Sequence, residues 1–236
     1  MNKSIAQFQP LAGQSREDAD RHYSKVHTRF ARAQLRAMPH VLSYHTNRAE
    51  AEYDLAGGWG QRPRAFRFVI LRFAPGRSLE FPPDVRERVA QDHRLFLREL
   101  RGFAVDEEVL VDRLDGQTAL VKYLFEYERV AEARPSLDEL AATLCELGDT
   151  FGLRRIVLNR VRAEAVAESI DEPGQRPTTR PLPDTAKQAF VEIYFDHRDW
   201  AEEWFARPAV RVALIGPAWA LARGYRVTEE CGLDRR

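Results

Sequence analysis

The feature that most restricts this chain is an order of elements that occurs twice. The first half alternates weakly from Lys3 to Leu11, keeps helical spacing after Ser15, and turns extended from Val41 to Asn47 and again over Ala65 to Phe73, AFRFVILRF. Helical spacing returns from Pro82 or Pro83 to Arg101 through Val85, Val89, His93, Phe96, Leu97 and Leu100, with Gly102 as the expected C-cap. Phe103 to Arg113 then reads as a strand before the turn Asp115-Gly116. The second half repeats the order: strand at Ala119 to Tyr127, helix at Ser136 to Leu147, strands at Arg154 to Arg162 and Gln188 to Phe195, helix at Trp200 to Ile215, and a last strand at Gly224 to Thr228. Ser136 and Glu139 form a capping box ahead of Leu140 and Leu144.

A strand–helix–strand–strand–helix–strand unit makes a four-stranded antiparallel sheet with both helices on one face, the ferredoxin-like arrangement. Residues 1–116 and 117–236 are therefore expected to be two such repeats of an α+β chain. Each repeat leaves one apolar sheet face uncovered. Packing the two faces together buries both and makes a barrel-like core inside a single chain. The glycine-rich stretch AEAEYDLAGGWGQRPR and the proline-rich DEPGQRPTTRPLPD read as loops. Trp59 is the one residue of the former placed to lid a pocket.

Composition narrows the function. Acidic and basic residues balance at 36 each, so no net field draws in nucleic acid or an anionic membrane. Cys145 and Cys231 form neither a metal motif nor a disulfide framework, the N-terminus MNKSIAQFQP has no apolar signal core, and no apolar run would span a bilayer. The expected compartment is the cytoplasm. No Gly-rich phosphate cradle, Ser-His-Asp order or zinc spacing is present, so no metal is expected. An aromatic-rich interior suits a flat small-molecule substrate, with a homodimer as a further option.

Chemistry concentrates in the first helix. Ala19, Tyr23, Val26, Phe30, Ala33 and Ala37 recur as one apolar stripe, with Ser15 and Asp18 at the capping-box offset and Pro39 ending the helix. His27 borders the stripe one turn beyond Tyr23. His22 lies off it, on the solvent side, and at roughly 100° per residue the two imidazoles point about 140° apart, which disfavours a shared metal. His93 fills an apolar helix position, as a core histidine would. On the following strand His45 and Asn47 share a face with Ser43, opposite Tyr44. Glu192 alternates with Phe190 and Tyr194, so it faces inward with them, where burial would raise its pKa, unless Val191, Ile193 and Phe195 point inward instead. Lys122 and Glu126 share a strand face and read as an ion pair, the more ordinary choice, or as part of a pocket.

The run HYSKVHTRFARAQLRAMPHVLSYHTN resembles the EthD-like branch of the dimeric α/β-barrel superfamily, and FVEIYFDHRDWAEEWFARPAV is similar to a second strand and helix of that family. His27 matches the family histidine, Pro39 the break, Tyr44 the strand tyrosine and Asn47 the polar strand end. The helix at Ser136 to Leu147 departs from the pattern because it carries no histidine. The resemblance implies two repeats closed as an intrachain dimeric α/β barrel. It also implies a cofactor-independent enzyme working by proton transfer on an aromatic or polyketide-like molecule: a cyclase, lyase or isomerase of secondary metabolism, or a cofactor-free monooxygenase. His27, Tyr23 and Tyr44 would be catalytic, and His45, Asn47, Trp59, Glu192 and Tyr194 would bind substrate. The alternatives are a haem protein with a histidine axial ligand, or a non-catalytic small-molecule binder.

Overall fold

The computed structural model describes residues 2–54, 58–61, 63–114, 120–129, 136–170, 178–179, 186–215 and 219–235. The elements follow as β1 (Asn2–Pro10), α1 (Arg16–His22), a π-helical segment (Tyr23–His27), α2 (Thr28–Arg36), β2 (Val41–Asp54), β3 (Gly58–Gln61), β4 (Arg67–Phe73), α3 (Pro83–His93) and β5 (Leu97–Asp112). The second half supplies β6 (Val121–Arg129), α4 (Leu137–Leu147), β7 (Leu153–Ser169), β8 (Thr178–Thr179), β9 (Lys187–Phe195), α5 (Arg198–Ala206), α6 (Pro208–Ile215) and β10 (Trp219–Asp234).

Eight strands close into an antiparallel barrel in the order β10-β6-β9-β7-β5-β1-β4-β2, with β2 pairing back onto β10; β3 extends from β2 and β8 from β7. Each half contributes one four-stranded sheet, β5-β1-β4-β2 and β10-β6-β9-β7, so the expected α+β fold of two ferredoxin-like repeats packed sheet to sheet is what forms. The expected boundary at residue 116 lies outside the described residues, as does most of the proline-rich stretch.

The seams are β5–β7 and β2–β10, and their strands run 14 to 17 residues, against 7 to 9 for the central strands β1, β4, β6 and β9. A seam strand must pair inside its own sheet and then continue along the other, so it outruns the local pattern that announces it. This corrects several sequence expectations. The helix expected to reach Arg101 ends at His93, and β5 starts at Leu97, because ladders to β1 and β7 satisfy the backbone on both sides. Gly102 lies inside that strand rather than capping a helix. The expected loop after Asn47 is strand as far as Asp54, since β10 pairs along it, and Trp59 sits on β3. The single helix from Trp200 breaks at Arg207, whose extended backbone precedes Pro208.

Three apolar layers result. Ile5, Phe68, Ile70, Phe103, Leu124, Phe190 and Tyr225 fill the barrel interior. Phe8, Tyr23, Leu35, Tyr44, Phe66 and Phe96 lie between the first sheet and its helices. Leu144, Ile156, Val191, Phe195, Trp204 and Phe205 do the same for the second. Both faces of each sheet are covered, so the strands lose the strict alternation of a half-exposed sheet. Among the described residues no helix is long and apolar enough to cross a membrane.

Candidate active site

The helix that carries His27 begins as its sequence dictates: the Ser15 side chain accepts a hydrogen bond from the Asp18 amide, with Glu17 and Asp18 in the first turn. Residues 23–27 then widen into a π turn, in which the Thr28 N–H reaches back five residues to the Tyr23 carbonyl. The extra residue per turn shifts the buried face. Val26 is 49% exposed, and Ala33 and Ala37 are also exposed, whereas Tyr23, His27, Thr28 and Leu35 are buried. The α-helical stripe expected through Val26 and Ala33 is therefore displaced.

The same widening overturns the expected divergence of the two histidines. His22 Nε2 lies 2.8 Å from Asp92 Oδ1 and His27 Nδ1 lies 2.6 Å from Asp92 Oδ2, so both rings converge on one carboxylate from α3. His22 is only partly exposed, because its ring also stacks on Phe96 at 5.1 Å between centroids. Beside them His93, buried as expected of a core histidine, bonds through Nδ1 to Glu168 Oε2 at 3.2 Å and approaches the His27 ring at 5.4 Å.

Tyr23 packs on His27 at 4.7 Å, and its hydroxyl meets that of Tyr44 at 3.3 Å. The Arg67 guanidinium lies 4.1 Å from the centre of the Tyr23 ring and is paired with Asp20. On β10, Gly232 gives the Tyr44 ring room that a Cβ would occupy. The three expected catalytic residues, His27, Tyr23 and Tyr44, are thus brought together. Asp92, which bonds the imidazole at Nδ1, is the residue of this cluster that sequence reasoning misses. Its only sequence signal is an aspartate beside His93 in a last helical turn, where a cation would be the ordinary choice.

Electrostatics set the protonation states. Burial lowers the His27 pKa against the opposing pull of Asp92, so the ring is neutral near pH 7. Burial by itself would raise the Asp92 carboxyl, but its bonds to His27 and His22 outweigh that and hold it low. With Nδ1 committed to Asp92, His27 Nε2 makes no hydrogen bond among the described residues, so its lone pair is uncommitted. Burial raises both Tyr23 and Tyr44, which therefore stay protonated.

The expected substrate-binding residues lie elsewhere. His45, Asn47, Glu192 and Tyr194 face the barrel interior, on the opposite side of the sheets from His27. Glu192 is buried and accepts from Lys3 at 2.6 Å, Lys122 at 2.7 Å, Asn159 at 3.1 Å and the Tyr194 hydroxyl at 2.8 Å. Burial would raise its carboxyl as expected from sequence, but Lys122, Lys3 and Arg72 reverse the sign and hold it well below the ordinary range. It is therefore an anion, unsuited to taking a proton near neutrality.

The anticipated Lys122–Glu126 pair does not form. Lys122 bonds Glu192 and Glu229, and Glu126 bonds Lys187 and Tyr225 at the other end of the barrel. His45 Nδ1 lies 3.7 Å from Glu229, and Asn47 Nδ2 donates to the Phe68 carbonyl at 3.5 Å. The Trp59 ring packs against Tyr53, Tyr123 and Phe205 at 4.8 to 5.2 Å.

No protein-family model and no curated protein matches the chain. Solved structures do. Two described as "putative monooxygenase", from Lactobacillus acidophilus NCFM and Fusobacterium nucleatum, align with TM-scores of 0.52 and 0.55 at 8% and 6% identity. Each alignment covers 98% of this chain, and 94% and 93% of theirs. An anthrone oxidase-like protein aligns at 0.54 and 12% identity over all of this chain and 94% of its own. Identities this low speak for architecture alone. The chain has the dimeric α/β-barrel fold.

In this dimeric α/β barrel the interior is not an open hollow. Aromatic side chains occupy its centre and ion pairs its ends, so the imidazole of the first helix does not reach into it. A cavity of about 410 Å³ opens at one rim, bordered by Tyr194 and Glu229, and one of about 130 Å³ at the other, bordered by Glu126 and Arg223. No histidine borders either, so these two spaces do not fit a haem carried on a histidine. Among the described residues no group of three or more His, Cys, Asp or Glu is arranged to hold a metal.

Proposed function

We propose that this barrel is a small-molecule enzyme of EthD-like type, which moves a proton on an aromatic or polyketide-like substrate without a cofactor, with His27 as the acid–base group. The observation that carries the reading is the Asp92–His27 pair. A carboxylate fixes Nδ1 and the tautomer, and the unbonded Nε2 of a neutral imidazole is left to take a proton from carbon or oxygen and return it. Tyr23 and Tyr44 are sealed behind the ring, so they act as positioning groups that hold its plane rather than as groups that touch substrate. His22 shares the carboxylate and limits how far Asp92 can swing.

The name of the anthrone oxidase-like neighbour suggests the probe, because anthrone is an aromatic carbon acid whose ring-flanked CH2 exchanges through an enolate. In D2O under nitrogen the enzyme should speed that exchange, and His27→Asn should lower the rate by about 10²- to 10⁴-fold, the range for a general base. Asp92→Asn should lower it through the tautomer, with the pH profile displaced. Full exchange by folded His27→Asn removes the central residue, and no catalysed exchange at all overturns the aromatic carbon-acid reading.

A further inference from the structure

The cavity of about 410 Å³ lies where β6 begins at Val121, and β10, which pairs with β6 up to Val227, continues alongside β2 only. Its volume falls within the range of small-molecule sites. Leu120, Val121, Val227 and Tyr194 give its lining apolar and aromatic surface, and Arg198, Arg226, Glu50, Glu229 and Thr228 give it polar groups of both signs.

The polar groups around it are unevenly satisfied. Glu229 accepts from Lys122 at 2.6 Å. Glu50 accepts from Thr228 and from Arg48 at 3.1 Å, and Glu202, just behind, accepts from Arg198 at 2.6 Å. The Tyr194 hydroxyl is spent on Glu192. Arg226 differs. Its side chain is only 19% exposed, and its guanidinium approaches Glu50 and Glu202 at 3.9 and 3.6 Å, beyond hydrogen-bond range. Glu50 and Glu229 at this border thus each already accept a short bond, whereas the Arg226 guanidinium, a planar fork of N–H donors, stands half-buried at its edge with two loose ion pairs and no hydrogen bond. A guanidinium with its fork unbonded at the edge of a cavity complements a carboxylate, which meets it through two parallel N–H···O bonds.

We propose that this rim cavity is a second ligand site, which takes a flat aromatic carboxylate: the carboxylate on Arg226, the ring against Val121, Val227 and Tyr194. The site shares no residue with the His27 cluster, so its occupant need not be the substrate of that cluster, and it stands or falls independently of the proton-transfer reading.

Calorimetric titration of the full chain with 1-naphthoate tests it, with 1-naphthamide as the neutral isostere. Saturable naphthoate binding is expected, with the amide weaker by about tenfold or more. Arg226→Gln should lose the preference for the acid over the amide, and Arg226→Lys, which keeps the charge but not the fork, should recover only part of it. Failure to bind up to about 10 mM, equal affinity for acid and amide, or an undiminished preference in folded Arg226→Gln overturns the proposal. Should Arg226→Gln not fold, the acid–amide comparison on the unmodified chain decides.

Discussion

The two helix-covered faces of this barrel occupy equivalent places in the two repeats and are built from opposite materials. On the first, the α1–α2 helix and α3 bring His22, His27, Asp92 and His93 onto the sheet, with Tyr23, Tyr44 and Arg67 behind them. On the second, α4 presents Leu140, Ala141 and Leu144, and α5 presents Ala201, Trp204 and Phe205 against Tyr123, Phe125 and Phe195. Where α3 ends in Asp92 and His93, α5 ends near Trp204 and Phe205. One architecture therefore supports a hydrogen-bonded, titrating layer on one side and a dry aromatic layer on the other. Duplication of the fold does not duplicate the chemistry, because the barrel depends on both faces being covered and not on what covers them.

If that contrast is right, the two faces should fail differently. The largest effect is expected from Trp204→Ala on the dry side, where loss of a fully buried indole leaves a void and should cost about 3–5 kcal/mol in urea unfolding. Asp92→Leu on the polar side should cost about 1–3 kcal/mol, since His22 and His27 both lose their acceptor. A cost as large as that of Trp204→Ala would mean that the polar layer holds the fold as firmly as the dry one. Tyr44→Phe should cost about 0.5–1.5 kcal/mol, the net worth of its hydrogen bond to Tyr23.

The smallest effect, and the one peculiar to the first face, is a dependence on pH. His27 titrates below its ordinary value of about 6.5, so below that pH the unfolded chain takes a proton that the folded one refuses, and stability falls. Asp92 is depressed below the ordinary value of about 3.9. Its contribution is present above that value and is lost as the pH falls through its folded pKa. The urea midpoint should therefore decline as pH is lowered from about 7, and His27→Gln should flatten the upper part of that decline while Trp204→Phe leaves it unchanged. An unaltered profile in His27→Gln would show that the histidine layer is electrostatically silent.

The repeated element order, the Ser15 and Ser136 caps, the strand over Ala65 to Phe73 and the contact of Tyr23 with His27 were legible from the residues, because each rests on local spacing; Tyr44, 21 residues from Tyr23, entered only through the family resemblance. The π turn was not. A string of side chains spaced three and four apart carries no mark of the extra residue, and that residue is what turns His22 and His27 onto one carboxylate and puts Val26 outside. The inner face was half legible: Phe190, Glu192 and Tyr194 do share a side, but the sign of the Glu192 shift depends on Lys3, Arg72 and Lys122, which arrive from three other strands.

By itself, then, the sequence determined two α+β units with apolar sheet faces that had to meet, since period and propensity act within a few residues of chain. Which groups face one another across the closed barrel was decided only in three dimensions. The long seam strands, the Asp92 carboxylate beneath two histidines and the loosely paired Arg226 at the rim all come from contacts between segments far apart in sequence. Their energies depend on burial and on distances of a few ångströms, and neither is written in the order of the residues.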